Sequence, residues 1–346
     1  MKRSTKTWGV GLILLVAGCG WVAGYDGVSF DRDQQSYDAG QESGGAEASA
    51  GMGGAAGGGA TGGAAGETGG TAGETGGTAG ETGGTGAASG AGGEAGVCGS
   101  CDEYLEECHE KLRICVAKSI EIGINEKEKP WYIDVTEVTN KQYQDWLGTN
   151  PDIKAQVATC VDKNNNFAPQ CLPPVSRNEE PKYPVSCVDW CDAVAYCKAI
   201  GKRLCGSIDG DSTPWDEHNN EKQDQWYAAC VSGKERNWSF PYGNSFNCDK
   251  CNVKAGKASQ VAEKDKCISY QNVYDLSGNV AEWEDCCKEN KLAKTRDCRI
   301  RGGHYYSINK FLCANSDGNA VKCDNKDDRD YLSRQPNLGF RCCKGP

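Results

Sequence analysis

The sequence predicts an α+β domain that is low in regular secondary structure and rich in disulfides. Three observations lead there. The 346-residue chain holds 22 cysteines, and in an exported protein such a number reads as a disulfide framework. Helical periodicity is confined to short stretches ahead of Cys230. Beyond Cys230, short runs bearing Trp, Tyr and Cys alternate with Gly/Asn turns, and no long helix is evident.

Export is read from the first residues. Lys2, Arg3 and Lys6 precede a short, mostly apolar core from Gly9 to Ala17, too short to span a bilayer as a stable helix. Val16-Ala17-Gly18-Cys19 resembles a bacterial lipobox. It implies a lipoprotein signal peptide over 1–18, lipidation of Cys19 and a membrane anchor; the alternative is an ordinary signal peptide with a chance cysteine. Gly20 follows rather than Asp, so no inner-membrane retention signal is evident. The expected place is the bacterial cell envelope, at the outer membrane or cell surface. Residues 19–97 read as a disordered tether. From about Gly40 its composition collapses to Gly, Ala, Thr, Ser and Glu, and Gly66-Glu-Thr-Gly-Gly-Thr-Ala72 recurs at 73–79. Such a stretch buries too little apolar surface to offset chain entropy, and spans roughly 40 Å as a Gly-rich coil. No Gly-Lys-Ser/Thr closes it, so it is no phosphate cradle.

Net charge is −10 and no long Lys/Arg cluster occurs, which argues against nucleic acid as a partner. Setting Cys19 aside from the 22 cysteines leaves 21. At least one thiol is therefore free, paired between chains or ligating something.

Residues 98–118 form a Cys-rich leader. Cys101, Leu105, Cys108, Leu112 and Cys115 fall at spacings of four, three, four and three, one stripe of a helix. Cys98-Gly-Ser-Cys101 has the gap of redox and zinc motifs, but its nearest counterpart is the distant Cys248-Asp-Lys-Cys251; structural disulfides are the favoured reading.

The main domain covers 119–346. Trp131 to Val135 reads as a strand, and Thr139 with Gln142 makes a capping-box start for a helix through Trp146 and Leu147. Residues 149–186 are loop-like, with Cys160 and Cys171 as a local staple. Asp189 to Ile200 is a second helix: Trp190, Ala193, Val194 and Cys197 repeat at helical spacing, which turns Trp190 and Cys197 to the core, and Gly201 stands at its stop.

A family resemblance joins these pieces. Asn272-Val-Tyr-Asp-Leu-Ser-Gly-Asn-Val-Ala-Glu-Trp-Glu284 is preceded by Ile133-Asp-Val-Thr-Glu-Val-Thr-Asn140, Pro184-Val-Ser-Cys-Val-Asp-Trp-Cys-Asp-Ala193, Gly201-Lys-Arg-Leu204, Gln225-Trp-Tyr-Ala-Ala229 and Tyr242-Gly243. It is followed by Arg301-Gly-Gly303 and Leu338-Gly-Phe-Arg-Cys342. In this order the chain resembles the formylglycine-generating enzyme, or sulfatase-modifying factor, domain. The resemblance implies a C-type-lectin-like core. Residues 205–224 depart from it as an added loop.

The resemblance also implies sites. A structural calcium would be held by the side chains of Asp275 and Glu282 and the carbonyls of Gly278 and Val280; carboxylate and carbonyl oxygens suit that hard cation. A second calcium site would begin at Asn252-Val253, in a region that looks shortened. Disulfides Cys197–Cys342 and Cys230–Cys323 are implied. Family enzymes hold copper(I) between two thiolates five residues apart, a soft pair that suits this ion. Here Cys313 stands where the first would fall, and Gly318 where the second belongs. Counting forward from Gly303, the first position is instead Ser307, and His304 replaces a Ser. With three histidines in all, a histidine-held iron has no ligand set, and no Gly-x-Ser-x-Gly elbow supports a hydrolase.

The reading that follows is a membrane-tethered lipoprotein whose domain serves as a non-catalytic binding or envelope-associated module for a protein, peptide or glycan. Trp215 and Trp238, in loops, are contact candidates. The alternative is a copper-dependent oxidase that converts a cysteine of a sulfatase or peptide to formylglycine, with Cys313 as its lone thiolate. A thiol-redox role is third.

Overall fold

The computed structural model describes residue 98 and residues 101–172, 179–233 and 236–346. The signal peptide 1–18, Cys19 and the 19–97 tether lie outside them. Among the described residues no helix is long and apolar enough to cross a membrane.

The leader is a β-hairpin, which corrects the expected helix. Strand β1 (Glu106–His109) pairs antiparallel with β2 (Ile114–Ala117), Cys108 opposite Cys115. Arg113 takes φ 58° in the turn. Two causes override the helical spacing. Ile114 and Val116 are β-branched and favour a pleated surface, and a four-residue strand needs no helix nucleus. Cys98–Cys108 and Cys101–Cys115 then pin the preceding chain to the hairpin.

Strand β3 (Ser119–Ile124) enters a four-stranded sheet with β4 (Pro130–Asp134). Thr139 caps α1 (Asn140–Gly148) with the expected reciprocal bonds to Gln142. Asp189 likewise caps α2 (Trp190–Ala199), and Gly201 follows at φ 71°. The two helices meet through Tyr143, Trp146 and Tyr196, with rings 5.1–5.5 Å apart. The added loop follows β5 (Arg203–Leu204) and leads into α3 (Gln225–Cys230). A second sheet is built on β6 (Ala281–Asn290) and β7 (Thr295–Arg301), with β8 (Asp327–Asp330) outside β7 and β9 (Leu338–Phe340) parallel to β6. Strand β10 (Cys342–Lys344) crosses back into the first sheet, whose order is β3-β4-β10-β5. Phe340 on β9 closes on Tyr196 at 5.5 Å.

The described cysteines form ten disulfides and leave Cys286 free. Cys197–Cys342 and Cys230–Cys323 are both present. Cys160 and Cys171 do not bond each other. They reach Cys191 and Cys187, so the loop between the helices is folded back onto the start of α2. Nearness along the chain did not decide that pairing; packing of the loop over the helix did.

One pH effect arises at this helix start. Asp189 and Asp192 are both buried and share Arg334 at 2.9 and 3.1 Å. Burial, then the Asp189 charge, pushes Asp192 up to about 8. A carboxyl with a raised folded pKa holds its proton more tightly folded than unfolded. Its contribution is full below the ordinary 3.8 and is lost as pH rises toward about 8. Urea midpoints should therefore fall from pH 4.5 to 8, and Asp192→Asn should flatten that slope.

Candidate metal and thiol site

Three residues in the left-handed region shape the loop ahead of β6: Asp275, Gly278 and Asn279, with φ 59°, 82° and 55°. Gly278 is required there, since a Cβ would stand 2.4 Å from the Asn252 carbonyl oxygen. That approach seats the Asn252-Val253 segment on the loop, and the Asn279 amide donates to the Asn252 carbonyl at 2.8 Å. The side chain of Asn279 then links two segments. Its Oδ1 accepts from Asn252 Nδ2 at 3.2 Å and its Nδ2 donates to Glu137 Oε1 at 3.0 Å.

The fold sets Gly278 against Asn252 and Val253 and brings Asp275 near Glu282; Val280 is buried in the same loop. The fold adds three residues that the calcium expectation left out: Glu137, Trp226 and Arg341. All three sit in stretches that carry the family resemblance, so their presence was readable and their role was not. Glu282 accepts from Arg341 Nε and Nη2, both at 2.7 Å, and from Trp226 Nε1 at 2.8 Å. Asp275 Oδ2 accepts from the Ala262 amide at 2.7 Å. Burial, then the Asp275 charge, raises the pKa of Glu137 well above the carboxylate range. Burial pushes Asp275 up to about 7.

These atoms test the fit of calcium. Glu137 Oε2 and Asn252 Oδ1 are buried acceptors without a hydrogen-bond partner. Three buried carboxylates face a single guanidinium, Arg341. Unpartnered buried oxygens suit a hard oxygen-seeking cation, but Glu137, Asp275 and Glu282 do not bring one oxygen each within 4.8 Å of one another. Glu282 suits the cation least, because Arg341 and Trp226 already hold both its oxygens.

The thiol side does not fit copper(I). Cys313 is bonded to Cys248, which corrects its placement as a lone catalytic thiolate. It is buried among Phe240, Val253, Ile308 and Val321. Gly318, at the second position, lies against the Phe246 ring. Ser307 accepts from the His304 amide at 2.8 Å. Burial lowers His304 to about 4, and its ring lies 4.0 Å from that of Tyr306.

The free thiol lies elsewhere. Cys286 is buried on β6, and burial, then the Glu284 and Asp224 charges, pushes its pKa up; such a thiol is no nucleophile. Neither Cys-x-x-Cys is internally bonded, since Cys248 pairs with Cys313 and Cys251 with Cys267. Cys101, Glu106 and Cys115 converge, but the two cysteines bond each other and offer no thiolate for zinc. Trp215 is covered by Arg299 and Lys288 at 3.6 and 4.1 Å. Tyr306, Phe311 and Leu312 are the exposed apolar side chains between Gly303 and Cys313.

A family model described as the sulfatase-modifying factor enzyme 1-like domain matches residues 123–346. The chain is 26% identical over 258 residues to an inactive C-alpha-formylglycine-generating enzyme 2 from Bos taurus, covering 63% of this chain and 78% of that protein. Among solved structures it is similar to CarF, at 19% identity and TM-score 0.42, over 63% of this chain and 87% of that one. It is also similar to PvdO from Pseudomonas aeruginosa, at 17% identity and TM-score 0.42, over 71% of this chain and 100% of that one.

Proposed function

The chain belongs to the sulfatase-modifying factor enzyme 1-like family, and from that premise we propose that its domain is a non-catalytic binding module, tethered to a bacterial envelope by a lipid on Cys19. One observation carries the reading. The position that would supply a first copper thiolate is closed in the Cys248–Cys313 disulfide, and the second is Gly318. Copper(I) chemistry between two sulfurs needs both. The similarity to a relative called inactive supports the same side. Ten disulfides support export, since such bonds persist in oxidising compartments.

A structural calcium belongs to this proposal, with Asp275, Asn252 and Glu137 as its side-chain oxygens. It would tie the loop ahead of β6 to the end of β4 and supply charge compensation only. Two cavities flank the segment around residues 252–258. One, of about 790 Å³, is lined by Ser186, Lys257 and Tyr305; the other, of about 600 Å³, by Cys248, Lys254 and Phe311. A protein, peptide or glycan partner is expected on this face.

The test is differential alkylation of the full chain, read by mass spectrometry, with a copper(I) titration of the same sample. Among the described cysteines none should react before unfolding and only Cys286 after it, and no stoichiometric copper should bind. Alkylation of native Cys313 together with tight, stoichiometric copper would instead overturn this reading and send the oxidase alternative to a peptide-oxidation assay. For the anchor, Cys19→Ala should move the protein from the membrane fraction to the soluble one; unchanged fractionation would refute lipid tethering.

A further inference from the structure

We infer that the Cys248–Cys313 disulfide is an exchangeable bond that captures an anionic, thiol-bearing ligand on Cys248. The inference rests on the binding-module reading and names the chemistry of its partner. Four disulfides have a sulfur residue that is not buried: Cys98–Cys108, Cys101–Cys115, Cys248–Cys313 and Cys287–Cys298. One of them opens into a cationic cavity. Cys248 lines the space of about 600 Å³ together with Lys254, Lys264 and Lys310, against the single carboxylate of Asp249. Lys254 Nζ stands 3.5 Å from Cys248 Sγ and 2.6 Å from Asp249 Oδ1. By contrast, Cys101 and Cys115 have the Glu106 carboxylate within 4.8 Å, which repels an incoming thiolate.

Thiol–disulfide exchange needs a thiolate, access to one sulfur and a leaving sulfur on the far side. Cys248 supplies the access; Cys313, only 5% exposed, lies beneath it. The ligand's thiolate attacks Cys248 Sγ and a new S–S bond forms. The Cys248–Cys313 bond breaks, its electron pair goes to Cys313 Sγ, and that sulfur takes up a proton. One disulfide is exchanged for another, so no outside oxidant or reductant is consumed. The lysines concentrate anionic thiolates at the attacked sulfur. Cys313 is then left as a thiol among apolar side chains, where burial disfavours the thiolate that would expel the ligand. The same burial makes Cys313 a slow leaving group, so the adduct forms slowly and, once formed, persists.

The probes are reduced glutathione, an anionic thiol, and cysteamine, a cationic one, given to the full chain at equal thiolate concentration and low salt. Free thiols are counted before addition. Peptide mapping should find the glutathione adduct on Cys248, forming about tenfold faster than the cysteamine adduct. Lys254→Met/Lys264→Met should bring that ratio close to one. Both lysines reach solvent, so the variant should fold. An intact Cys248–Cys313 bond with adducts first on another disulfide, or with no charge preference, overturns this inference alone. Cys248 and Cys313 already free at the outset would overturn it and the binding-module reading together.

Discussion

Removing the Cys197–Cys342 and Cys205–Cys343 bonds together, by four Cys→Ala replacements, is expected to destabilise the domain by roughly 6–7 kcal/mol. Removing either alone should cost only about 2.5 kcal/mol. The difference follows from topology. The bonds close loops of 145 and 138 residues, and both end on adjacent cysteines of β10. With one intact, the chain is already held to its C-terminal strand, and the second closes only a further loop of about nine residues. Because the intact Cys230–Cys323 bond already bridges the span, the last bond removed opens a loop of only about fifty residues and carries roughly 4 kcal/mol. The two losses are therefore not additive: the quadruple variant should lose about a third as much again as the two pairs summed. Guanidinium unfolding of the three variants measures this directly. Simple additivity would mean that the two bonds constrain different loops in the unfolded chain.

This brace also shows where the sequence was legible. Local chemistry announced itself: Thr139 with Gln142 starts α1 where its capping box predicts, and the second helix begins beside Asp189, which caps it from outside. The leader was misread because alternate four- and three-residue spacing of Cys and Leu suits a helix, while β-branched Ile114 and Val116 settle a strand. Which cysteine meets which is a matter of tertiary packing. Cys160 reaches across to Cys191 on α2, and Cys313 goes to Cys248 from the far side of β7 in the chain. The calcium expectation named the loop ahead of β6 but overlooked Glu137 and Arg341. They lie 145 and 59 residues from Glu282 respectively, and only the folded chain sets their charges side by side.

Arg341→Met should be the most damaging single substitution, at about 3–5 kcal/mol. The guanidinium is fully buried and makes two bonds of 2.7 Å to Glu282. It also donates to the Asp134 and Tyr274 carbonyls at 3.1 and 2.8 Å. Methionine fills similar volume but leaves Glu282, Glu137 and Asp275 buried with no guanidinium among them. Removing one partner of a buried pair costs the desolvation of the other, so adding Glu282→Gln should recover part of the loss. The same variant tests the proposed cation. If calcium sits with Asp275, Asn252 and Glu137, ligand at tenfold its Kd raises stability by about 1.4 kcal/mol, and Glu137→Gln abolishes that gain. Thermal unfolding with calcium or chelator gives the answer for the original chain and both variants. A gain that survives Glu137→Gln would place the ion elsewhere. No gain in any of the three would mean that protons, held by raised pKa values at Glu137 and Asp275, provide the compensation instead.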